Sequence, residues 1–209
     1  MLNRHSRFRG TMTSFLDLVS GLFEPHAVRI ATRKRQRLSL AAEPDEVLYL
    51  VRKGLYLACA PIPHARHQVL SLHYPGDIVR ALAMPPLDGA ELVPATERGE
   101  VWRLRWPVAK ALLDRDPDLA RAVSDRLTDQ AARSALHNSI LAGLNGDERV
   151  AALMIELALR TGRETAAGLV FEMPLSRNDI AEHMALNADT VSRIVSRLRA
   201  SGLITPAGR

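Results

Sequence analysis

The spacing of apolar residues changes twice along the 209-residue chain. Residues 11–23 have a helical spacing, with Phe15, Leu18, Val19 and Leu22 on one face, whereas residues 28–106 hold short, often alternating apolar segments. A helical spacing returns from Trp106 onward. Several short strands with Pro and Gly turns between them are typical of an antiparallel sandwich or roll. The pattern therefore predicts an α+β fold, with a β roll followed by a helical C-terminal half. The predicted strands are Leu38–Leu40, Val47–Val51, Leu55–Cys59, Gln68–His73 and Val101–Trp106.

A heptad-like series follows an interruption at Asp114–Asp118. Its members are spaced alternately three and four residues apart, which is the pattern of a coiled-coil seam. They are Ala120, Val123, Leu127, Gln130, Ser134, His137, Leu141 and Leu144. The alternative is a helix that packs only on its own β roll. Because several seam residues are small or polar, pairing would need support from the rolls. Asn145–Asp147 then breaks the helix and predicts a hinge.

Two short capped helices are predicted near the C-terminus. Ser176 and Asp179 have the spacing of a capping box, and Asn187 is a favourable N-cap for a second helix. The apolar face of the second helix consists of Val191, Ile194, Val195 and Leu198. At about 100° per residue, the opposite face carries Asp189, Arg193, Ser196 and Ala200, with Ser192 and Arg197 on its flanks. Such a face can enter a DNA major groove, although a solvated surface helix has the same pattern.

The order of residues adds a family resemblance. Leu175–Ala181, Asp189–Arg193 and Leu198–Ile204 resemble the winged helix of the bacterial CRP/FNR transcription regulators. Val47–Gly54 and Arg66–Val79, with its Pro-Gly-Asp corner, resemble the jelly-roll sensor domain of the same family. The resemblance implies an N-terminal helix and jelly roll (1–106), a long dimerisation helix (107–145) and a winged helix-turn-helix (146–209). Leu169–Met173 would be a strand before the motif and Leu203–Thr205 the first strand of a short wing.

The resemblance also implies which residues meet DNA. The recognition helix of FNR-type members carries Glu-x-x-Ser-Arg, and this chain has Asp189-Thr-Val-Ser-Arg193. By analogy, Asp189 accepts from a cytosine amino group, Arg193 donates to guanine, and Ser192 contacts a neighbouring base. The residues implied at the DNA backbone are Arg177, Asn178, Thr190 and Arg197, with Arg199 as a further candidate. Asp is one methylene shorter than Glu, so the base preference is expected to differ.

A homodimer that binds a palindromic operator and activates transcription through RNA polymerase is the function that this resemblance implies. Cyclic-nucleotide-binding relatives carry a phosphate cassette, but residues 80–98 have Pro85 and Pro86 and no clear Gly-Glu pair, although Arg98 could supply a cation. We therefore expect no cyclic AMP site, and no cofactor is predicted. The alternatives are a regulator switched by a cyclic nucleotide, haem or another ligand, and a signalling module without DNA binding.

Composition narrows these possibilities only slightly. A net charge of +5, from 28 basic and 23 acidic residues, is compatible with a polyanion partner but does not require one. No apolar run is long enough to span a membrane and no secretory signal is visible, so the cytoplasm is the expected location. The single cysteine, Cys59, is expected to be a small packed residue.

The other groups of polar residues in the sequence do not indicate a metal site or a catalytic site. His64, His67 and His73 could suggest metal or haem ligation, but their loop setting favours surface histidines. The basic run Arg33–Arg37 suits either a polyanion patch or the protection of a strand edge. No metal-ligand spacing and no pairing of a nucleophile with a base stands out, so we expect no metal site and no enzyme.

Overall fold

The computed structural model describes residues 15–40, 46–61, 68–80, 89–166 and 168–207. It divides into two compact units, with the boundary between Arg133 and Ser134. Residues 15–23 form the described part of helix α1, as the sequence predicts, and a short 3-10 turn follows at Glu24–His26.

The N-terminal unit is built on two four-stranded antiparallel sheets. One sheet has the order β1-β8-β3-β6 and the other the order β2-β7-β4-β5. The strands are β1 (Val28–Arg33), β2 (Leu38–Ser39), β3 (Val47–Lys53), β4 (Tyr56–Ala60), β5 (Gln68–His73), β6 (Ile78–Arg80), β7 (Glu91–Pro94) and β8 (Arg98–Arg105). This is the predicted antiparallel β roll, and the α+β fold class is confirmed.

The first sheet is buried on both of its faces. Along β8, Val101 packs into the core between the sheets, whereas the next residue, Trp102, packs on the other side with Phe23 and Leu119. Successive strand residues point to opposite faces, so one strand can serve two cores. The second core joins helix α1 and the helices after β8 to the roll. Those helices are α2 (Trp106–Arg115) and α3 (Pro117–Gly143).

Three strands of the N-terminal unit were not indicated by the sequence pattern. Strand β1 lies at a sheet edge, where the alternation is obscured by exposed Arg29 and Arg33. Strand β6 has only three residues, and β7 ends at Pro94. These segments become strands because neighbouring strands supply their hydrogen-bond partners.

The segment predicted as one long helix over residues 107–145 consists of α2 and α3. The interruption predicted at Asp114–Asp118 is present, because the Asp116 carboxylate accepts hydrogen bonds from the backbone amides of Asp118 (3.0 Å) and Leu119 (2.9 Å) and so begins α3. Whether this segment forms a separate dimerisation domain stays a prediction.

Helix α3 is fastened to the corner between β5 and β6. The Gln130 side chain accepts from the backbone N–H of Ile78 and donates to its carbonyl, both at 2.9 Å, and thus acts like a neighbouring strand. One turn earlier, the Arg126 guanidinium donates to the Asp77 carboxylate at 2.5 Å. The predicted Pro-Gly-Asp corner is therefore the part of the roll to which α3 bonds.

These contacts with the roll show that the predicted coiled-coil seam was partly wrong. Val123 is 5% exposed within the core on the roll, Gln130 bonds Ile78, and His137 stacks on His183, so none of these three faces outward. Leu127 and Ser134 of the predicted series are exposed, and contact of their row with a second chain stays a prediction. Ser124, Ala131 and Asn138, each one residue after a position that faces inward, are exposed as well.

The C-terminal unit contains a small sheet and three helices besides the end of α3. They are α4 (Gly146–Thr161), β9 (Arg163–Thr165), β10 (Gly168–Val170), α5 (Arg177–Met184) and α6 (Ala188–Ala200). Asn145 and Glu148 form a capping box that begins α4, at the hinge position that the sequence predicts. No helix of the described ranges is long and apolar enough to cross a membrane.

Two strand predictions in this unit were wrong. The predicted strand Leu169–Met173 ends at Val170 and pairs with β9, which the sequence pattern did not indicate. Leu203–Thr205 is not a strand, and within residues 168–207 none follows α6. The physical reason is that the amides of Leu203 and Ile204 donate to the carbonyl of Leu198 at 3.1 Å and 3.3 Å, so they cap the helix instead of joining a sheet.

Candidate nucleic-acid interface

Helix α5 begins at the predicted capping box. The Asp179 amide donates to the Ser176 hydroxyl at 3.2 Å, and the Ser176 amide donates to the Asp179 carboxylate at 2.7 Å. The apolar face of the helix buries Ile180, Ala181 and Met184. These local interactions fix where the first helix of the motif starts and which side it buries.

A tight turn connects α5 to α6. Ala185 has the left-handed conformation (φ 53°), and the amide of Leu186 donates to the carbonyl of Ala181 at 2.9 Å. The Asn187 side chain then accepts from the amide of Thr190 at 2.7 Å and caps the second helix, as predicted. Short helices joined in this way form a helix-turn-helix.

Helix α6 has a buried apolar face and an exposed polar face. The buried face consists of Val191, Ile194, Val195 and Leu198, which pack in the C-terminal unit with α4 and α5. Asp189, Ser192 and Arg193 are all exposed on the opposite side. The structure thus brings together the three residues that the sequence assigns to base reading.

The three side chains differ in how much hydrogen-bonding capacity they keep. Within the described part of the chain, Asp189 and Arg193 have no hydrogen-bond or ion-pair partner. The Ser192 hydroxyl donates to the carbonyl of Ala188 at 2.9 Å, so in this conformation it can only accept from a base. The helix therefore offers one anionic acceptor, one cationic donor and one hydroxyl acceptor along about one turn.

The residues predicted at the DNA backbone lie at the starts of the two helices, except for two arginines. Arg177 and Asn178 are in the first turn of α5, and Thr190 is in the first turn of α6. Asn178 is exposed, whereas Arg177 and Thr190 are half-buried. Arg197 and Arg199 lie in the last turn of α6, where Arg197 donates to the Asp147 carboxylate of α4 and Arg199 is exposed.

Sequence reasoning missed Arg149, which connects three helices. Its guanidinium donates to the carbonyl of Leu141 (2.7 Å) in the last turn of α3 and to that of Leu144 (2.8 Å) just after it. It also donates to the carbonyl of Met184 (3.3 Å) at the end of α5. Carbonyls at a helix C-terminus lack partners in the helix and carry partial negative charge, so a cation stabilises them. The spacing of Arg149 in the sequence gives no sign of this role.

A second missed feature is a stacked pair of histidines. The rings of His137 on α3 and His183 on α5 lie 4.1 Å apart and are inclined by 6°. His183 is only 3% exposed. Burial lowers the pKa of His137, although Glu156 and a backbone hydrogen bond to His183 oppose the shift. His137 is therefore expected to be uncharged at neutral pH.

The prediction that His73 is a surface histidine was also wrong. His73 is 8% exposed instead of lying on the surface, and its ring is 2.9 Å from the Ser71 hydroxyl. Burial, the largest influence, lowers the pKa of His73 to about 4, against the opposing effect of Asp77. His64 and His67 lie outside the described residues.

The structure also places the other residues of the N-terminal unit that the sequence singled out. Cys59 is buried in β4, as expected. The basic run Arg33–Arg37 joins two edge strands, and Lys34 and Arg37 pair with glutamates at 3.0 Å and 3.1 Å, which favours edge protection. In the segment compared with a phosphate cassette, Arg98 is exposed at the start of β8, and residues 81–88 lie outside the described residues.

Known proteins share both the motif and the fold. Residues 148–209 match the Crp-like helix-turn-helix domain. The chain is 24% identical over 177 residues to the anaerobic regulatory protein of Pasteurella multocida, covering 85% of this chain and 65% of that protein. It is 23% identical over 177 residues to the fumarate and nitrate reduction regulatory protein of Yersinia pestis, covering 85% and 71%. The chain thus spans about two thirds of the length of these relatives.

The solved structure of FixK2 from Bradyrhizobium japonicum has the same architecture. It superposes with a TM-score of 0.72 at 24% sequence identity, covering 88% of this chain and 89% of FixK2. At this identity the structural likeness shows the fold alone. The resemblance to the CRP/FNR family is supported by the helix-turn-helix match over residues 148–209 and by regulators that align over 85% of the chain. The C-terminal part of the chain therefore carries a Crp-like helix-turn-helix domain, and the whole chain is similar to FNR-type regulators.

Proposed function

We propose that this protein is a homodimeric, sequence-specific DNA-binding transcription regulator. The observation that carries the proposal is the exposed face of α6, where Asp189 and Arg193 have no partner within the described residues while the apolar face of the helix is fixed by α4 and α5. A rigid helix that presents a free acceptor and a free donor suits the base edges of a major groove. The curated relatives of the chain are regulators, which supports this proposal.

In this proposal Arg193 donates to guanine and Asp189 accepts from a cytosine amino group. Ser192 contacts a neighbouring base through its acceptor lone pairs, since its proton is used within the helix. The residues that position the protein on the phosphates are Arg177, Asn178 and Thr190 at the helix starts, and Arg197 after exchange of its partner. Because Asp reaches less far than Glu, the preferred half-site is expected to differ from that of relatives with Glu at this position.

Dimerisation is proposed through the exposed side of α3. This side carries Leu127, which is 46% exposed, among mostly small and polar residues that allow two helices to approach closely. The rows proposed to face a second copy are Ala120, Leu127, Ser134 and Leu141, with Ser124, Ala131 and Asn138 beside them. A two-fold dimer places two recognition helices about one duplex turn apart and requires a palindromic operator.

We also propose that cyclic AMP is not the effector. The inner face of α3 is occupied by side chains that already bond the β5–β6 corner, namely Arg126, Gln130 and Arg133. A nucleotide panel in a thermal-shift assay, with an absorbance scan for haem, tests the alternative of a ligand-switched regulator. Activation through RNA polymerase in the cytoplasm is the expectation that the family supplies, and a reporter gene with the selected operator tests it.

Selection of bound duplexes from a random pool tests the central proposal. We expect enriched sequences with two-fold related half-sites separated by about one helical turn, and retardation of such a duplex that weakens steeply with salt. Enrichment of single, asymmetric sites would contradict the dimer. No enrichment over the input pool by a folded protein would contradict DNA recognition and favour a signalling module.

A further inference from the structure

One cation of the proposed interface already has an anionic partner. The Nη2 and Nε atoms of Arg197 lie 2.5 Å and 3.2 Å from the same carboxylate oxygen of Asp147. Their side chains are 59% and 53% exposed, so the pair lies at the surface. Arg177 and Arg193 have no such partner within the described ranges. Arg197 therefore differs electrostatically from the other arginines proposed to meet DNA.

The positions of the two partners are set by buried packing and not by the surface pair itself. Gly146, the neighbour of Asp147, lies against the turn and the recognition helix, since a Cβ on it would be 3.4 Å from Leu186 and 3.5 Å from Ile194. The capping box of α4 fixes where that helix begins. On α6, the residue after Arg197 is the buried Leu198. Asp147 is thus held beside the last turn of the recognition helix.

We propose that Asp147 limits DNA affinity by holding Arg197 away from the phosphates, so that binding exchanges a carboxylate partner for a phosphate. This inference rests on the proposed DNA-binding function. A phosphate that approaches Arg197 must displace the Asp147 carboxylate or lie beside it, and two anions sharing one guanidinium repel each other. Asp147 is in the first turn of α4, near the positive end of the helix dipole.

The expected effect is modest because the pair is exposed. Exposed ion pairs contribute little, so release of Arg197 should raise the affinity for duplex DNA about two- to five-fold at low salt. One additional phosphate bound by the protein should steepen the dependence of log K on log salt by about 0.9. The increase in affinity should be the same for operator and random duplexes, because phosphate contacts do not read sequence.

Four variants of the full chain test the proposal by fluorescence anisotropy over a series of salt concentrations. They are Asp147→Asn, Arg197→Ala, the double variant, and Glu172→Gln as the control. Glu172 is exposed in the same unit, and its replacement removes an equal charge without releasing an arginine. We expect Asp147→Asn to bind more tightly with a steeper salt slope, and this increase to vanish in the Arg197→Ala background. Arg197→Ala should weaken binding more in the Asp147→Asn background than in the wild type.

Three outcomes would overturn the inference. An unchanged affinity of Asp147→Asn would show that Asp147 does not compete with phosphate. An increase in affinity that persists without Arg197, or that Glu172→Gln reproduces, would show that the loss of one negative charge raises the affinity and that the release of Arg197 does not. Failure of the folded wild type to bind any duplex would refute the proposed function and this inference together, whereas the other outcomes leave DNA binding in place.

Discussion

The guanidinium of Arg126 on α3 lies 2.5 Å from the carboxylate of Asp77 at the β5–β6 corner, and Asp77 is fully buried. Arg133 donates to the same carboxylate oxygen at 2.7 Å. Burial opposes ionisation of Asp77, but the charges of Arg133 and Arg126 lower its pKa below the ordinary value. One buried carboxylate thus bonds two arginines, which Asp129 also contacts at 3.5 Å, and fixes α3 on the roll.

Removal of this carboxylate is expected to be costly. Asp77→Asn leaves two largely buried arginines with only the half-buried Asp129 as a counter-charge, which should lower the free energy of unfolding by about 3 kcal/mol. Urea unfolding followed by tryptophan fluorescence measures this, because Trp102 and Trp106 both lie in the N-terminal unit. Asp114→Asn is the control, since its pair with Lys110 is about 60% exposed and should contribute less than about 1 kcal/mol. Equal effects of the two changes would contradict a buried clamp.

His73 should make the N-terminal unit sensitive to acid. Its pKa is lowered to about 4 by burial, from an ordinary value of 6.5. Its contribution is therefore complete above pH 6.5 and falls as the pH drops toward 4, because the unfolded chain binds the proton first. The loss should reach about 3 kcal/mol at pH 4. His73→Gln should flatten the pH dependence of the unfolding free energy between these values, and an unchanged slope would be evidence against a buried neutral imidazole.

The stacked histidines should give the C-terminal unit a similar dependence near neutrality. The pKa of His137 is lowered mainly by burial, so its stabilising contribution is present above about pH 6.5 and is lost as the pH falls below that value. Thermal unfolding of the helices, followed by circular dichroism at pH 7.5 and 5.5, should show a larger decrease in Tm for the wild type than for His137→Asn. A direct check is the NMR titration of both imidazoles, and an ordinary pKa for His137 would contradict the prediction.

Arg149 is expected to stabilise the joint between α3, α4 and α5. Arg149→Ala leaves three helix-end carbonyls without their donor and should cost about 2 kcal/mol. Arg149→Lys keeps the charge but not the planar set of donors, so an intermediate loss is expected. Arg163→Ala, an exposed change in the same unit, is the control for thermal unfolding. A neutral Arg149→Ala variant would show that water satisfies these carbonyls equally well.

Replacement of a base-reading residue and of a backbone-contacting residue should have different effects on DNA binding in a competition assay. Arg193→Ala should reduce discrimination between the operator and a site changed at one base pair by about 1–3 kcal/mol. Arg177→Ala should weaken binding to all duplexes evenly and reduce the salt slope. Full operator discrimination by Arg193→Ala would show that the assignment of this residue is wrong.

The sequence by itself determined the elements whose signals are local. Ser176 with Asp179, and Asn187 alone, cap their helices through residues three positions away, so their spacing predicts both helices of the motif. The exposed face of α6 follows from the same helical periodicity, which is why Asp189 and Arg193 could be named in advance. Alternating segments likewise predicted five strands of the roll, because alternation is a property of each strand.

The tertiary structure alone decided which faces of these elements are occupied. Gln130 had a seam-like position in the heptad series, yet it bonds Ile78, which is 52 residues away along the chain. His183 on α5 is covered by His137 of α3, and Asp147 pairs with Arg197, which is 50 residues away along the chain. Periodicity shows that a helix has faces, but the partner of each face is set by long-range packing, which no local spacing encodes.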